Sequence, residues 1–126
     1  MKDFKKYFII PATPEEVYLA LTTEITIELW TGAEATMVAE SGTEFSLWED
    51  SIVGKNLEFE ENKKIVQQWY FGEENEDSIV TIKLHPHKKG TSVELIHINI
   101  PDEDFENISD GWITDYFGSL IDFYSE

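Results

Sequence analysis

Residues 104–124 constrain the fold more than any other stretch of the chain. Wound as an α-helix at ~100° per residue, they place Phe105, Ile108, Trp112, Tyr116, Leu120 and Phe123 along one stripe. Ile113, Phe117, Ile121 and Tyr124 stand beside that stripe and widen it, while Asn107, Gly111, Thr114, Gly118 and Asp122 collect on the far side. The apolar arc is roughly 200° wide, against ~100° for an ordinary surface helix. A flat surface cannot cover such an arc. A curved sheet wrapped around the helix can, and the rest of the chain supplies strands for one.

Residues 3–10 are rich in aromatic and β-branched side chains and predict a strand. Thr13-Pro14-Glu15-Glu16 predicts a helix start: Thr13 as N-cap, Pro14 at the first helical position and Glu16 closing a capping box. Residues 23–30 are ambiguous. Ile25, Ile27 and Leu29 alternate with Thr26 and Glu28 as in a strand, and a short helix is the competing reading. Residues 33–40 alternate and predict a strand, turning at Ser41-Gly42 into its hairpin partner at 43–47. Trp48-Glu49-Asp50 reads as a polar turn region. Residues 51–59 predict a strand with Gly54 as a bulge, and residues 65–71 one with Ile65, Gln67, Trp69 and Phe71 on one face. An acidic loop is expected at 72–77, a strand at 78–84, a turn at 85–90 and a last strand at 91–100. In that last strand Val93, Leu95 and His97 share one face, and Ile96, Ile98 and Ile100 the other. Pro101 breaks it, and Asp102 or Asp104 is the expected cap of the final helix. Segregated helices and a run of strands joined by short turns give an α+β fold with an antiparallel sheet. The length of 126 residues fits a single domain, 1–126.

Charge narrows the range of partners. The chain has 26 acidic residues and 9 basic ones, all Lys, for a net charge of −17. Such a chain repels a phosphate backbone, so no nucleic-acid partner is expected, and an anionic lipid surface is disfavoured likewise. Without Arg the usual fork for a carboxylate or phosphate is missing. A small ligand is therefore expected to be neutral, apolar or cationic. Cys is absent, which removes disulfides and thiol catalysis and fits a reducing compartment; the expected location is the cytoplasm. The N-terminal residues lack the apolar run of a signal peptide, and no run is long enough for a membrane span.

Several local strings, in order along nearly the whole chain, resemble the Bet v 1-like (START, SRPBCC) superfamily. Within it they resemble the family named after the activator of the heat-shock-protein-90 ATPase. They run from Ile10-Pro11-Ala12-Thr13-Pro14-Glu15-Glu16-Val17-Tyr18 through Leu29-Trp30 and Gly42-Thr43-Glu44-Phe45 to Gly54-Lys55-Asn56-Leu57-Glu58-Phe59. Lys64-Ile65-Val66-Gln67-Gln68-Trp69, Val80-Thr81-Ile82-Lys83-Leu84, Gly90-Thr91-Ser92-Val93-Glu94-Leu95-Ile96-His97 and Gly111-Trp112 follow. The resemblance implies a helix-grip fold: about six or seven antiparallel strands around the long C-terminal helix, with two short helices after the first strand. It tips residues 23–29 towards helix, and it implies a cavity between sheet and long helix. The chain departs from the family pattern in having Gly42-Thr43 where a glycine pair is usual and Glu44 where a basic residue often follows. The eukaryotic co-chaperone also carries an N-terminal domain that docks on the chaperone, which is expected to be missing here.

The function expected from this reading is non-enzymatic binding of a small apolar ligand between sheet and C-terminal helix. Trp30, Phe45, Trp69, Leu95, His97, Trp112, Tyr116 and Leu120 line the expected site, with His97 and Tyr116 as polar anchors. Two alternatives stay open. One is a co-chaperone-like module of the stress response that binds a chaperone or other protein partner. The other is a small cyclase- or aromatase-like enzyme using His97 as general base. Each candidate also has a plainer reading: His97 as a core histidine satisfied by one internal hydrogen bond, and the aromatics as core filling. His85 and His87 flank Pro86 in a turn with no third ligand evident, and the carboxylates at 73–77 and 102–104 read as solvated, so no metal site, cofactor or catalytic pair is expected.

Overall fold

The computed structural model describes residues 1–72 and 77–125. The order of elements is β1 (Lys2–Ile10), α1 (Pro14–Thr22), α2 (Glu24–Thr31), β2 (Glu44–Leu47), β3 (Ile52–Glu60), β4 (Lys64–Trp69), β5 (Ser78–His87), β6 (Gly90–Ile100), then α3 (Phe105–Gly111), a π-helical turn (Trp112–Tyr116) and α4 (Phe117–Tyr124). The six strands form one antiparallel sheet in the order β1-β6-β5-β4-β3-β2. One face carries the core: Phe8, Ile10, Phe45, Ile65, Val80, Ile82, Val93 and Leu95 are buried against the C-terminal helix and α1–α2. This is the α+β helix-grip architecture. No helix among the described residues is long and apolar enough to cross a membrane.

The local signals explain most elements. Thr13 caps α1 and Glu16 returns the bond to the Thr13 N–H at 3.0 Å, closing the capping box. Residues 24–31 are helical, overriding their period of two. The indole of Trp30 donates to the Ala20 carbonyl at 2.8 Å and ties α2 to α1. Ile27 and Trp30 are buried while Ile25 and Leu29 face outward, which is the helical solution to the same residues.

Other expectations are corrected. Residues 33–40 do not form a strand; they make only one bridge, Thr36 to Ser46. Their donors bond instead to two carboxylates of α2, Ala35 N–H to Glu28 at 3.1 Å and Met37 N–H to Glu24 at 3.0 Å. β2 consequently pairs with β3. The bulge in β3 falls between Asn56 and Glu58, not at Gly54. Gly54 stays in register between Phe45 and Trp69, where only glycine fits: a Cβ there would lie 2.1 Å from the Gln68 carbonyl oxygen. β5 runs through His87, leaving only Lys88-Lys89 as the turn. Asn99 adopts φ 59°, shifting the register against β1, and so turns Ile100 inward, away from Ile96 and Ile98. Asp104 stands at the N-cap of α3 without a side-chain capping bond. Of the expected acidic loop, residues 73–76 lie outside the described residues.

The largest departure is inside the C-terminal helix. In an unbroken α-helix Phe117 would stand ~140° from Trp112. The π turn takes up one extra residue and swings everything after it back towards the sheet. Phe117 and Leu120 are then fully buried, and Ile113, expected beside the stripe, is left 41% exposed. Gly118 permits this wide turn, because a Cβ there would sit 2.6 Å from the Ile113 carbonyl oxygen. We expect Gly118→Ala to lower stability by about 1–3 kcal/mol, the range for overpacking, although alanine is the better helix former. Urea unfolding checks this; an unchanged or higher midpoint would show that the wide turn does not depend on glycine.

Candidate functional site

The joint between sheet and helix is aromatic. Trp112 stacks on Trp69 of β4 with centroids 4.7 Å apart and 24° between planes. Phe117 stacks on Phe8 of β1 at 4.6 Å. Tyr116 meets Trp112 at 4.6 Å and Trp30 of α2 at 5.1 Å.

Both indoles of the stacked pair direct their N–H into the interior. Trp69 Nε1 donates to Gln67 Oε1 at 3.1 Å, and Gln67 Nε2 donates to Asn56 Oδ1 at 3.1 Å. Asn56 in turn donates to Thr43 Oγ1 and the Val38 carbonyl, at 3.1 and 3.2 Å. Trp112 Nε1 donates to His97 Nδ1 at 3.0 Å. An indole is a donor only, so His97 Nδ1 must be bare, and the neutral ring carries its proton on Nε2. That N–H faces Ser78 Oγ at 2.8 Å, and the Ser78 hydroxyl donates to the Ile98 carbonyl at 3.2 Å. His97 is fully buried, and burial pushes its imidazole down to about 3, against a smaller upward pull from Asp3. With both nitrogens engaged it has no lone pair to offer as a general base. It makes two internal bonds, where the plainer sequence reading expected one.

Open space lies at one end of this joint. A cleft of about 560 Å³ opens between the C-terminal end of α2, the β2–β3 turn and the helix face that carries Gly111. Its floor is Trp69, Trp112 and Tyr116; Trp48, Ile52 and Ile108 form its half-buried walls, and Asp115 is an exposed carboxylate in its lining. No buried side-chain nitrogen or oxygen among the described residues lacks a hydrogen-bond partner. The Tyr116 hydroxyl bonds to none of the described residues, so it reaches the open space of the cleft. Burial of the ring raises its pKa, so it is a neutral donor and acceptor at physiological pH.

Of the eight residues expected from sequence, Trp69, Trp112 and Tyr116 therefore line the cleft. Trp30 stands behind Tyr116; Phe45, Leu95, His97 and Leu120 belong to the core. Among the expected polar anchors, Tyr116 is at the cleft and His97 is not. The aromatic lining residue that sequence reasoning missed is Trp48, read as part of a polar turn. The signal was a tryptophan in a turn between Leu47 and two acids. Trp48, Glu49 and Asp50 hold φ of 50°, 53° and 70°, three successive non-glycine residues in the left-handed region. This conformation costs on the order of 1 kcal/mol or more per residue. The turn holds the Trp48 ring 6.0 Å from both Trp30 and Tyr116. His85, paired with Glu94 at 3.0 Å, and His87 are remote from the cleft.

The buried neutral His97 gives a pH signature. Unfolded, the ring titrates near 6.5; folded, near 3, so the unfolded chain binds the extra proton between those values. Its contribution is complete above about pH 6.5 and is lost as pH falls towards 3. Over that window the loss approaches ~4–5 kcal/mol at most, at about 1.4 kcal/mol per pH unit. Comparison of urea-derived stability in the wild type and in His97→Gln, from pH 7 to 4, isolates it from the carboxylates. The wild type is expected to lose stability faster; parallel curves would mean that His97 does not stay neutral in the folded protein.

Comparison with known proteins agrees with the fold and the strings that form it. The family model described as "Activator of Hsp90 ATPase homolog 1-like protein" matches residues 11–120. The human activator of 90 kDa heat shock protein ATPase homolog 1 is 31% identical over 110 residues, covering 86% of this chain and 32% of the human protein. The corresponding Dictyostelium discoideum homolog is 31% identical over 103 residues, 79% of this chain and 27% of that protein. The chain thus spans about a third of the length of the curated relatives it matches. An HSP90 activator from Plasmodium falciparum has a solved structure that superposes with a TM-score of 0.85 at 26% identity, covering 94% of this chain and 92% of that one. The Aha1 dimer from Colwellia psychrerythraea shares the fold, with a TM-score of 0.82 at 22% identity over 98% and 96% of the two chains.

Proposed function

This chain belongs to the activator of Hsp90 ATPase homolog 1-like family, and from that premise we propose that it is a non-enzymatic binding domain whose cleft beside the C-terminal helix takes a small, largely apolar ligand. The observation that carries the reading is the cleft's construction. It has the volume of a small-molecule site, an aromatic floor and, at Tyr116, a hydroxyl that bonds to none of the described residues. The space between sheet and helix proper is filled by Trp112, Phe117 and Leu120, so the ligand would lie at the end of the grip and not within it. The cysteine-free sequence supports the cytoplasm as its compartment.

Gly111 provides a direct test. It lies in the cleft lining, and a Cβ added there meets nothing within 4 Å. Gly111→Leu should therefore fill the cleft without disturbing the core, and should add about 0.5–1 kcal/mol of helix stability. Titration with the neutral dye Nile red should show binding to the wild type and at least a tenfold loss in Gly111→Leu, with Tm unchanged or raised. Equal binding to both would sink the cleft reading.

The relatives favour a second reading, a co-chaperone-like module that binds a chaperone of the Hsp90 kind. The human and Plasmodium proteins are both named as activators of that chaperone or its ATPase. In this reading the domain raises the ATPase rate of an Hsp90 added at micromolar concentration, and Gly111→Leu does so equally. An unchanged rate together with no complex in analytical ultracentrifugation would remove this reading.

A further inference from the structure

The nine lysines of this chain are confined to residues 2–6 and 55–89. The cleft is built almost entirely from the other segments: Thr31 of α2, the 48–52 turn, and residues 107–119 of the helix. Among the described residues no lysine lines it, while Asp115 does, and Glu49 and Asp50 sit in the turn that holds Trp48. Apart from Trp69, the cleft lining thus comes from segments that carry acidic residues and no lysine, in a chain with net charge −17.

Its rings point the same way. The N–H groups of Trp69 and Trp112 are used up by Gln67 and His97, so neither indole donor is left to meet an anion or a carbonyl. What remains towards the cleft is ring surface, above all that of half-buried Trp48, with the neutral hydroxyl and amide groups of Tyr116, Ser51, Asn107 and Ser119 and a single charged group, the Asp115 carboxylate. Trp48 itself and Glu49, two of the three left-handed residues of its turn, have no backbone preference for that region, so the turn holds the ring there at a cost. Aromatic faces beside a carboxylate recognise one chemistry best: a weakly hydrated organic cation, attracted by the negative ring face and by the carboxylate.

Resting on the cleft reading above, we propose that the ligand is a small organic cation, an alkylated ammonium joined to an apolar body, with its charged head between Trp48 and Asp115. A neutral apolar ligand would gain nothing from Asp115 or the surrounding field. An anion would be repelled by both. The cation gains from the ring, the carboxylate and the field together, and its apolar body covers Ile52 and Ile108.

The test compares phenyltrimethylammonium with its neutral carbon isostere tert-butylbenzene, by tryptophan fluorescence and calorimetry at 0.15 M salt, where attraction to remote surface charge is largely screened. The cation should bind at least tenfold more tightly. That preference should fall to less than threefold in Asp115→Asn, an exposed position whose replacement leaves packing intact. Trp48→Leu should weaken the cation by tenfold or more, and circular dichroism of that variant establishes that it is folded. Equal or tighter binding of tert-butylbenzene overturns the cation assignment and leaves the cleft reading standing. Binding of neither probe overturns both. A cation preference that survives Asp115→Asn and Trp48→Leu unchanged places the charge recognition elsewhere and also overturns the assignment.

Discussion

The contact between Trp69 and Trp112 is the joint on which sheet and helix are fitted together. Stacking at 4.7 Å contributes ~0.5–1.5 kcal/mol beyond the area that it buries, but the larger constraint is polar. Each indole brings an N–H into a dry interior, where an unmet donor costs ~1–3 kcal/mol. The sheet answers each with one acceptor at a fixed place, Gln67 Oε1 two residues along β4 and His97 Nδ1 on β6. Those acceptors need partners of their own, and Asn56, Thr43 and Ser78 supply them. Two apolar surfaces can slide over one another at little cost, whereas two donors that must each meet a particular acceptor cannot. The indole bond to His97 fixes the depth and rotation of the helix at Trp112, and the Trp69 chain reaches through Asn56 to the segment at 37–43.

Fixing Trp112 makes the π turn necessary. An α-helix set by Trp112 against Trp69 would carry Phe117 away from Phe8. The extra residue in the turn reconciles the two contacts, and both stacks form. Gly118 is the residue that admits the wider turn, and it sits where the sequence pattern marked only the helix's polar side. The same turn sets Trp112 and Tyr116 side by side at the floor of the cleft, so the device that completes the core also shapes the open site.

How far the sequence disclosed this structure follows from the range of each interaction. The Thr13–Glu16 capping box and the inward face of Val93, Leu95 and His97 are local or periodic, and they were legible. The helix at 24–31 was not legible from period alone, because Ile25 and Leu29, though exposed, fall with buried Ile27 at every second position and imitate the inward face of a strand. The missing strand at 33–40 depends on Glu24 and Glu28 reaching across 13 and seven residues to backbone donors, a use of carboxylates that composition does not signal. The inward turn of Ile100 depends on one left-handed asparagine. For the site, the aromatic residues of the long helix and of β4 stood out at their spacing. Trp48 was hidden because turns are expected to be polar, and His97 drew attention as the one histidine on a core face, when a core face is where an internal acceptor for Trp112 is required.

That contrast between His97 and Tyr116 bears on where chemistry can occur in a helix-grip chain of this size. A group deep in the grip must satisfy neighbours before it can satisfy a ligand, and here every buried polar side-chain atom among the described residues is already bonded. A ligand entering the grip would have to break a bond of the Trp69 or Trp112 chain and replace it. One that docks at the open end meets Tyr116, whose hydroxyl bonds to none of the described residues, and the rings of Trp69 and Trp112, whose N–H groups are turned away. The more completely the core satisfies itself, the more recognition is pushed outward to the cleft. In the site proposed there, the polar groups on offer are neutral apart from Asp115, and selectivity falls to ring faces and charge. An interior that needs two tryptophan donors satisfied and the recognition by field and ring face proposed for the cleft are therefore two sides of one arrangement, because the same indoles serve as core on one edge and as cleft floor on the other.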